Sequence, residues 1–241
     1  QNGFNTVKWW TVLPNNSVDI RNSNDTAEKV IRSGFEGTFT IDQTQAASAT
    51  NFTSVSSFVQ TLEQMGVCGP VVADIVTGTG PYAERVYIGT IPGTSAANTV
   101  RINGNGNTVQ HNSTTSESHL LRLTGTQYTT INNVVFKSIN ANYGWGAHIM
   151  GGAAYDSIIN CVFDLTTPTS TSSAYCNGIT FSGSLTSPTT TAASIANNCY
   201  IGNNRVLGTS GNNGHYYAMT LMQGTQNVIV EGNEFANFYI Y

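Results

Sequence analysis

An alternating apolar segment that closes on glycine recurs along this chain. It reads VYIG ending at Gly89, VRING at Gly104, LLRLTG at Gly125, HIMGG at Gly152, ITFSG at Gly183 and MTLMQG at Gly224. The last four intervals are 21, 27, 31 and 41 residues, because inserted loops such as SLTSPTTTAAS differ in length. Most of these segments are followed by a second apolar element with asparagine at a bend. TINNVVFKS sets Asn133 before Phe136, SIINCVFDL sets Asn160 before Phe163, and NVIVEGNEF sets Asn233 before Phe235. In SIANNCYIGNNRVL the equivalent pair is either Asn198 with Ile201 or Asn204 with Leu207. Glycine and asparagine both tolerate left-handed backbone angles, and an asparagine amide can bond along a stack. Short strands of period two, punctuated in this way and joined by loops of variable length, predict an all-β parallel β-helix. A β-sandwich would also contain many short strands, but it has no need of the same punctuation in every coil.

Ahead of the repeats, TNFTSVSSFVQTLEQMGVCG places Val55, Phe58, Val59 and Leu62 at i, i+3, i+4 and i+7, which predicts a one-faced helix over residues 54–65. Thr53 or Ser54 can cap its start, and Gly66 stands where a left-handed C-terminal residue is wanted. So short an amphipathic helix suits the covering of an open apolar end. Residues 1–50 differ in character, holding two of the three Trp and nine of the 22 charges, and read as a lead-in or small appended segment. Residues 51–241 then form the β-helix with its capping helix.

Only 9% of residues are charged, and Asn, Thr, Ser and Gly fill the polar positions. Uncharged polar surface suits stacked strands, where like charges repeated from rung to rung would repel. The net charge is −4 and no Lys/Arg cluster exists, which argues against nucleic acid or an anionic membrane as partner. No apolar run approaches the ~20 residues of a membrane-spanning helix. The chain begins at Gln1 rather than Met, as a processed secreted protein would, so an extracellular or cell-surface location is expected. The four cysteines, Cys68, Cys161, Cys176 and Cys199, form no CxxC pair, so no zinc site is expected. Aligning INC with NNC stacks Cys161 on Cys199 as a disulfide or thiol pair, whereas the register through Asn204 breaks that pairing.

The helix at 54–65, the strand PVVADIV, and GPYAERVYI with Tyr82, Glu84, Val86 and Ile88 resemble the entry to pectin-lyase-like right-handed β-helices. More narrowly, GTFTID, NFTSVSSFVQTLEQMGVCGPVVADIV and IGTIPGTSAANTVRING are similar to the β-helix modules of large bacterial surface proteins exported by the type IX secretion system. The resemblance covers about residues 37–241 and implies a right-handed β-helix and export. It leaves function open, because that superfamily spans lyases, esterases, hydrolases, adhesins and filament components. Such surface proteins run longer and end in a sorting domain. This chain stops at NEFANFYIY, just after a strand, so it reads as a fragment or processed form, or as a coil whose end stacks on another chain. Asp25-Thr26-Ala27 and Asp156-Ser157-Ile158 resemble the O-glycosylation sites of these exported proteins, with Thr26 and Ser157 as acceptors.

Sugar-cleaving enzymes need carboxylates that converge at a fixed separation. After Arg85 only Arg101, Glu117, Arg122, Lys137, Asp156, Asp164, Arg205, Glu231 and Glu234 are charged. The catalytic candidates are therefore a pair drawn from Asp156, Asp164, Glu231 and Glu234. Lys137 follows Phe136 as Asp164 follows Phe163, which predicts an exposed ion pair across neighbouring coils. His148 and His215 each precede a glycine-terminated strand and read as rim histidines, with no metal or other cofactor expected. Aromatic faces bind sugar rings, and Tyr143, Trp145, Tyr155, Tyr216 and Tyr217, with Tyr239 and Tyr241 at the end, are the carbohydrate-contact candidates. Sparse charge and repeat regularity favour a secreted or surface, non-enzymatic adhesin, stalk or filament subunit, with self-assembly through β-helix ends and extracellular glycans as partners. The alternative is a polysaccharide-active lyase, hydrolase or esterase on the same fold.

Overall fold

Each coil is turned by single residues in the left-handed region, and these corners set where strands begin and end. The computed structural model describes residues 3–10, 26–210 and 215–240. Sheet I runs in spatial order Asn51–Phe52, Phe35–Ile41, Val67–Ile75, Val100–Asn103, Thr129–Asn132, Ser157–Ile159, Tyr200–Gly202, Ile229–Glu231. Sheet II stacks Tyr82–Ala83, Thr108–His111, Val135–Ser138, Val162–Asp164, Arg205–Leu207 and Glu234–Ala236. Sheet III stacks Val86–Ile88, His119–Thr124, Gly144–Met150, Cys176–Phe181, His215–Leu221 and Phe238–Ile240. A fourth, three-stranded sheet (Ala153–Ala154, Ala196–Asn197, Thr225–Gln226) forms between sheets III and I in the later coils. Within these four sheets every strand pairing is parallel, and from Val67 onward the chain visits I, II and III in fixed order. Among the described residues the architecture is thus mostly β, in long parallel sheets with one helix, and is compatible with a β-helix.

The segment entering sheet I turns at Tyr128, Tyr155, Asn198 and Asn227, with φ of 53°, 58°, 53° and 50°. The segment leaving it turns at Asn133, Asn160, Asn203 and Gly232, with φ of 54°, 55°, 55° and 65°. In each coil the two corners stand five residues apart. This corrects part of the repeat alignment expected from the sequence. Asn133 and Asn160 are matched by Asn203 and Gly232, not by Asn198, Asn204 or Asn233, and Phe163 is paired with Val206. VRING also belongs to sheet I, whereas the other five glycine-terminated segments belong to sheet III.

Between the corners, alternation sends one residue of each rung inward. Phe39, Ala73, Ile102, Ile131, Ile158, Ile201 and Val230 stand in register across seven strands. All but Val230 are buried, and each such isoleucine contributes about 2–3 kcal/mol relative to exposure. In sheet II, Val109, Phe136, Phe163, Val206 and Phe235 form the corresponding column, with the Phe136 and Phe163 rings stacked at 5.3 Å. Outside the core, amides form a ladder over four coils. Asn160 Nδ2 donates to Asn132 Oδ1 at 2.8 Å, Asn132 Nδ2 to Asn103 Oδ1 at 3.0 Å, and Asn103 Nδ2 to Asp74 Oδ1 at 2.9 Å.

The expected helix forms over Val55–Met65 with Ser54 as its N-cap, whose Oγ accepts from Ser57 N. Phe58 and Leu62 are fully buried beneath it, against Phe39 and Phe52 among others. The Glu84 carboxylate accepts from Val55 N at 2.9 Å and Ser56 N at 2.7 Å, satisfying two otherwise orphaned amides at the positive end of the helix. Tyr82, buried, donates its hydroxyl to Ile41 O at 3.1 Å. The GPYAERVYI passage therefore joins helix to coil: Tyr82 and Glu84 tie, while Val86 and Ile88 fill the core.

The lead-in divides in two. Gly3–Trp10 pairs antiparallel with Thr26–Ser33 as a ribbon that exposes Trp9 and Trp10, while Phe35–Ile41 lies in sheet I beside Val67–Ile75. All four cysteines are free. Cys161 and Cys199 do not stack, because Phe163 pairs with Val206, which sets Cys161 level with Asn204, and Asn204 Oδ1 accepts from Cys161 N at 2.9 Å.

Two outcomes follow from these contacts. E84A lowers stability by about 1–2 kcal/mol, read as a fall of a few degrees in Tm; an unchanged Tm would show that the carboxylate cap contributes nothing. Iodoacetamide labels the native protein at Cys68, the exposed thiol, and reaches Cys161, Cys176 and Cys199 only in denaturant. Burial pushes the Cys161 thiol up to about 12, so labelling of Cys161 at the rate of Cys68 would contradict the packing.

Candidate functional site

Sheet III departs from simple alternation, and its polar residues gather where it does. Leu120–Leu121, Gly146–Ala147, Gly178–Ile179 and Ala218–Met219 each turn two consecutive residues toward the core. A Cβ on Gly146 would meet the Phe163 ring at 3.2 Å, and one on Gly178 would meet Val206 Cγ1 at 3.1 Å, so both positions point inward. The residues flanking each doublet then face outward on the same side. His119, Trp145, Asn177 and Tyr217 form one column, and Arg122, His148, Thr180 and Thr220 the other. Trp145 and His148, three apart in sequence, meet edge-on at 5.4 Å, a contact that a flat strand forbids.

Inserted loops close over the middle of this surface. Trp145 Nε1 donates to Ala174 O at 3.2 Å, and His148 Nε2 lies 3.1 Å from Ser182 O. Ser182 Oγ in turn donates to Ser184 O and Ser187 O. The His119 and His148 rings stack at 4.7 Å and are both buried. Neither ring nitrogen of His119 has a hydrogen-bond partner within the protein; the Leu185 backbone approaches without satisfying one. His148 Nδ1, Arg122 Nε, Asn177 Oδ1, Thr180 Oγ1 and Thr220 Oγ1 are likewise unpartnered and buried. Burial, His148 and the Arg122 and Arg85 charges push the His119 imidazole down to about 2. Burial holds His148 at about 4, its bond to Ser182 partly offsetting the effect. Both rings are therefore neutral at pH 7.

Toward the helix this surface opens into a cleft of about 580 Å³ lined by Glu63, Glu84, Arg85, Tyr87, His111 and Glu117. Arg85 Nη2 pairs with Glu117 Oε1 at 3.0 Å, and the Arg122 guanidinium lies 4.0 Å above the Tyr87 ring. Burial and the Arg85 charge lower the Arg122 pKa.

The four candidate carboxylates do not meet. Asp164 pairs with Lys137 at 3.0 Å across neighbouring strands of sheet II, as the phenylalanine register predicted, and also accepts from Thr166 N and Oγ1. Partial burial alone would raise its pKa, but the bonds from Thr166 and Lys137 outweigh that and lower it. Glu234 pairs with Arg205 at 2.7 Å one coil from the described end, and Glu231 accepts from Tyr200 Oη at 2.7 Å on the outer face of sheet I. Asp156 points inward at the corner before sheet I. Its oxygens accept from Thr126 Oγ1 at 2.5 Å and Thr129 N at 2.9 Å, and desolvation raises its pKa to about 7 despite these bonds. With Asp156 buried, the Asp156-Ser157-Ile158 motif offers only Ser157 to the outside; Thr26 is exposed on the ribbon, and Asp25 lies outside the described residues.

The aromatic candidates also separate. Trp145 is fully buried, so it is no surface contact. Tyr143 meets Tyr175 edge-on at 5.0 Å, and Tyr216 contacts Tyr217 and Tyr239 at 4.6 and 6.0 Å. Tyr155 is 49% exposed and lies parallel to Tyr128 at 4.7 Å, each at a left-handed corner. Tyr241 lies outside the described residues. His215 stands apart from His148, with Nε2 2.6 Å from Leu165 O and its backbone paired with Phe238. No motif or spacing in the sequence singles out His119, Arg122, Tyr87 or Tyr128 as functional. A structural signal for the first two is present in HLLRL, WGAHI, NGITF and YAMTL, where an apolar or glycine doublet is flanked by side chains that would otherwise alternate.

Asp156 yields a pH signature. Its folded-state pKa lies above the unfolded value of ~4, so folding takes up a proton between about pH 4 and pH 7 and stability falls as pH rises across that window. The buried histidines oppose this at the acid end, so the difference between wild type and Asp156→Asn isolates it. Asparagine can keep both bonds, and the variant gains stability relative to wild type from pH 4 to 7 by a few kcal/mol in urea unfolding. A pH-independent difference would refute the buried, protonated carboxyl. No protein-family model, curated protein or solved structure matches this chain.

Proposed function

We propose that this chain is a right-handed parallel β-helix module of a secreted or surface protein, of the type IX-exported kind. In this reading it serves as a non-enzymatic adhesin, stalk or extracellular filament subunit. The observation that carries the proposal is that its acids are already engaged. Glu63, Glu84 and Glu117 line one cleft, but Glu63 accepts from Gly89 N, Glu84 caps the helix and Glu117 pairs with Arg85. Asp164 and Glu234 are neutralised by Lys137 and Arg205, Glu231 is tied to Tyr200, and Asp156 is buried at a corner. Glycoside hydrolysis needs two carboxyl groups facing one bond, about 5–10 Å apart and free to act. Asp164 and Glu234 share the outer face of sheet II two strands apart, each held by its own cation, while Glu231 lies on sheet I and Asp156 is buried at a corner. The side chains that remain available are amides, hydroxyls and tyrosines, which suit contact with sugars more than their cleavage. Tyr155, exposed on its Tyr128 neighbour, is the best-presented aromatic face. Self-association by strand addition at the β-helix ends belongs to the same reading.

The test combines turnover and binding. Incubated with a panel of plant and algal polysaccharides, the protein releases no product, and the D156N, D164A, E231A and E234A variants behave alike. On an array of neutral glycans it retains ligands that Tyr155→Ala binds several-fold more weakly. Electron microscopy of the purified chain reveals filaments or end-to-end pairs. Turnover abolished by any one of the four acid substitutions would overturn the non-enzymatic reading.

A further inference from the structure

We infer that the outer surface of sheet III, at Arg122 with His119 and His148 beneath it, is a binding site for a single oxyanion, a sulfate or a carboxylate group. Lys137 and Arg205 each have an acid of their own, and Arg85 holds Glu117. Arg122 instead rests on the Tyr87 ring with its Nε unpartnered, and the nearby Arg85 charge acts against it. Glu117, held by Arg85, is the one carboxylate that also attracts Arg122, so two guanidinium groups share one acid, and a second anion would recover part of the free energy that this half-buried charge costs.

His119 and His148 are 1% and 0% exposed, yet three of their four ring nitrogens meet no partner. Buried polar atoms without partners are rare in folded proteins, and here they gather on two adjoining columns of one sheet. A neutral imidazole has one N–H to give, and His148 directs its own to Ser182 O, so His119 and the Arg122 Nε–H offer two donors to one small acceptor group. A metal ion fits these residues badly, because Arg122 and Arg85 repel a cation. Water alone would satisfy the hydrogen bonds and leave the guanidinium without an acid of its own. The adjacent cleft between Arg85, Tyr87 and Glu117 gives room for the remainder of a ligand that carries the anion, such as a sulfated sugar.

The inference does not depend on the absence of enzymatic activity. It is tested by titrating the ¹⁵N-labelled protein with sodium sulfate at constant ionic strength, with sodium chloride as reference, while following the histidine ring resonances. The expected result is saturable movement of the His119 and His148 signals, with His215 unmoved. Arg122→Gln weakens the response about tenfold or more, and Lys137→Gln, outside the site, leaves it intact. Acetate in place of sulfate reports whether a carboxylate is accepted. Galactose 6-sulfate saturating at a lower concentration than inorganic sulfate, with neutral galactose inert, assigns the anion to a glycan; equal concentrations assign a free oxyanion. Either pattern sustains the site. His119 and His148 signals that do not move with any anion, or an R122Q protein that titrates like wild type, would overturn it. Should R122Q fail to fold, the wild-type titration decides alone.

Discussion

One backbone requirement underlies the stacking of this chain: a left-handed residue at each end of the sheet I segment, in every coil from Tyr128 onward. Between the two corners the chain has room for a short strand, so each coil presents the same two inward positions to its neighbours. Parallel hydrogen bonding then fixes the register of sheets I and II. The isoleucine and phenylalanine columns follow, because a residue in register with its equivalents above and below can be buried only if they are apolar too. The amide ladder from Asp74 to Asn160 reinforces the same spacing from outside. Tyrosine in the left-handed region costs on the order of 1 kcal/mol relative to asparagine or glycine. At Tyr128 and Tyr155 the parallel ring stack offsets that cost.

Sheet III obeys a second rule. By turning two successive residues inward it bends, and the polar side chains on either side of the bend converge instead of diverging. The same local geometry that packs Gly146 against Phe163 brings Trp145 and His148 into contact and stacks His148 on His119. Loops 166–175 and 183–194 then remove this surface from water. The result is a region with desolvated imidazoles, a guanidinium lacking its own acid, and hydroxyls lacking partners. On sheet II, by contrast, Lys137 and Arg205 each pair with an acid.

Much of this was legible in the sequence. The helix, its Ser54 cap and its Gly66 stop were readable because amphipathic spacing and capping chemistry are local. The Lys137–Asp164 pair followed from two phenylalanines in equivalent positions. The corner rule was not readable, because three residue types (Tyr, Asn and Gly) fill it, and adjacent asparagines such as Asn203 and Asn204 make the alignment ambiguous by one. That ambiguity decided the fate of the expected Cys161–Cys199 pairing. Trp145 read as a surface aromatic because its cover comes from Ala174, a residue 29 positions away in a loop of no recognisable pattern. Asp156 read as a catalytic acid because spacing says nothing about which side of a corner a carboxylate takes.

The invariant five-residue interval also divides the chain into segments of unequal tolerance to change in length. A one-residue insertion between Tyr155 and Asn160 would reverse every side chain in that strand, placing Ile158 in water. Lengthening the Ser/Thr-rich loop after Gly183 adds only about 0.6 kcal/mol of closure entropy per doubling, and moves no strand out of register. Evolution, or an engineer grafting a foreign peptide, is therefore free to write new surface into the loops beside sheet III. Because those loops lie over the histidines and Arg122, such grafts would alter what reaches that surface while the coils beneath stay unchanged.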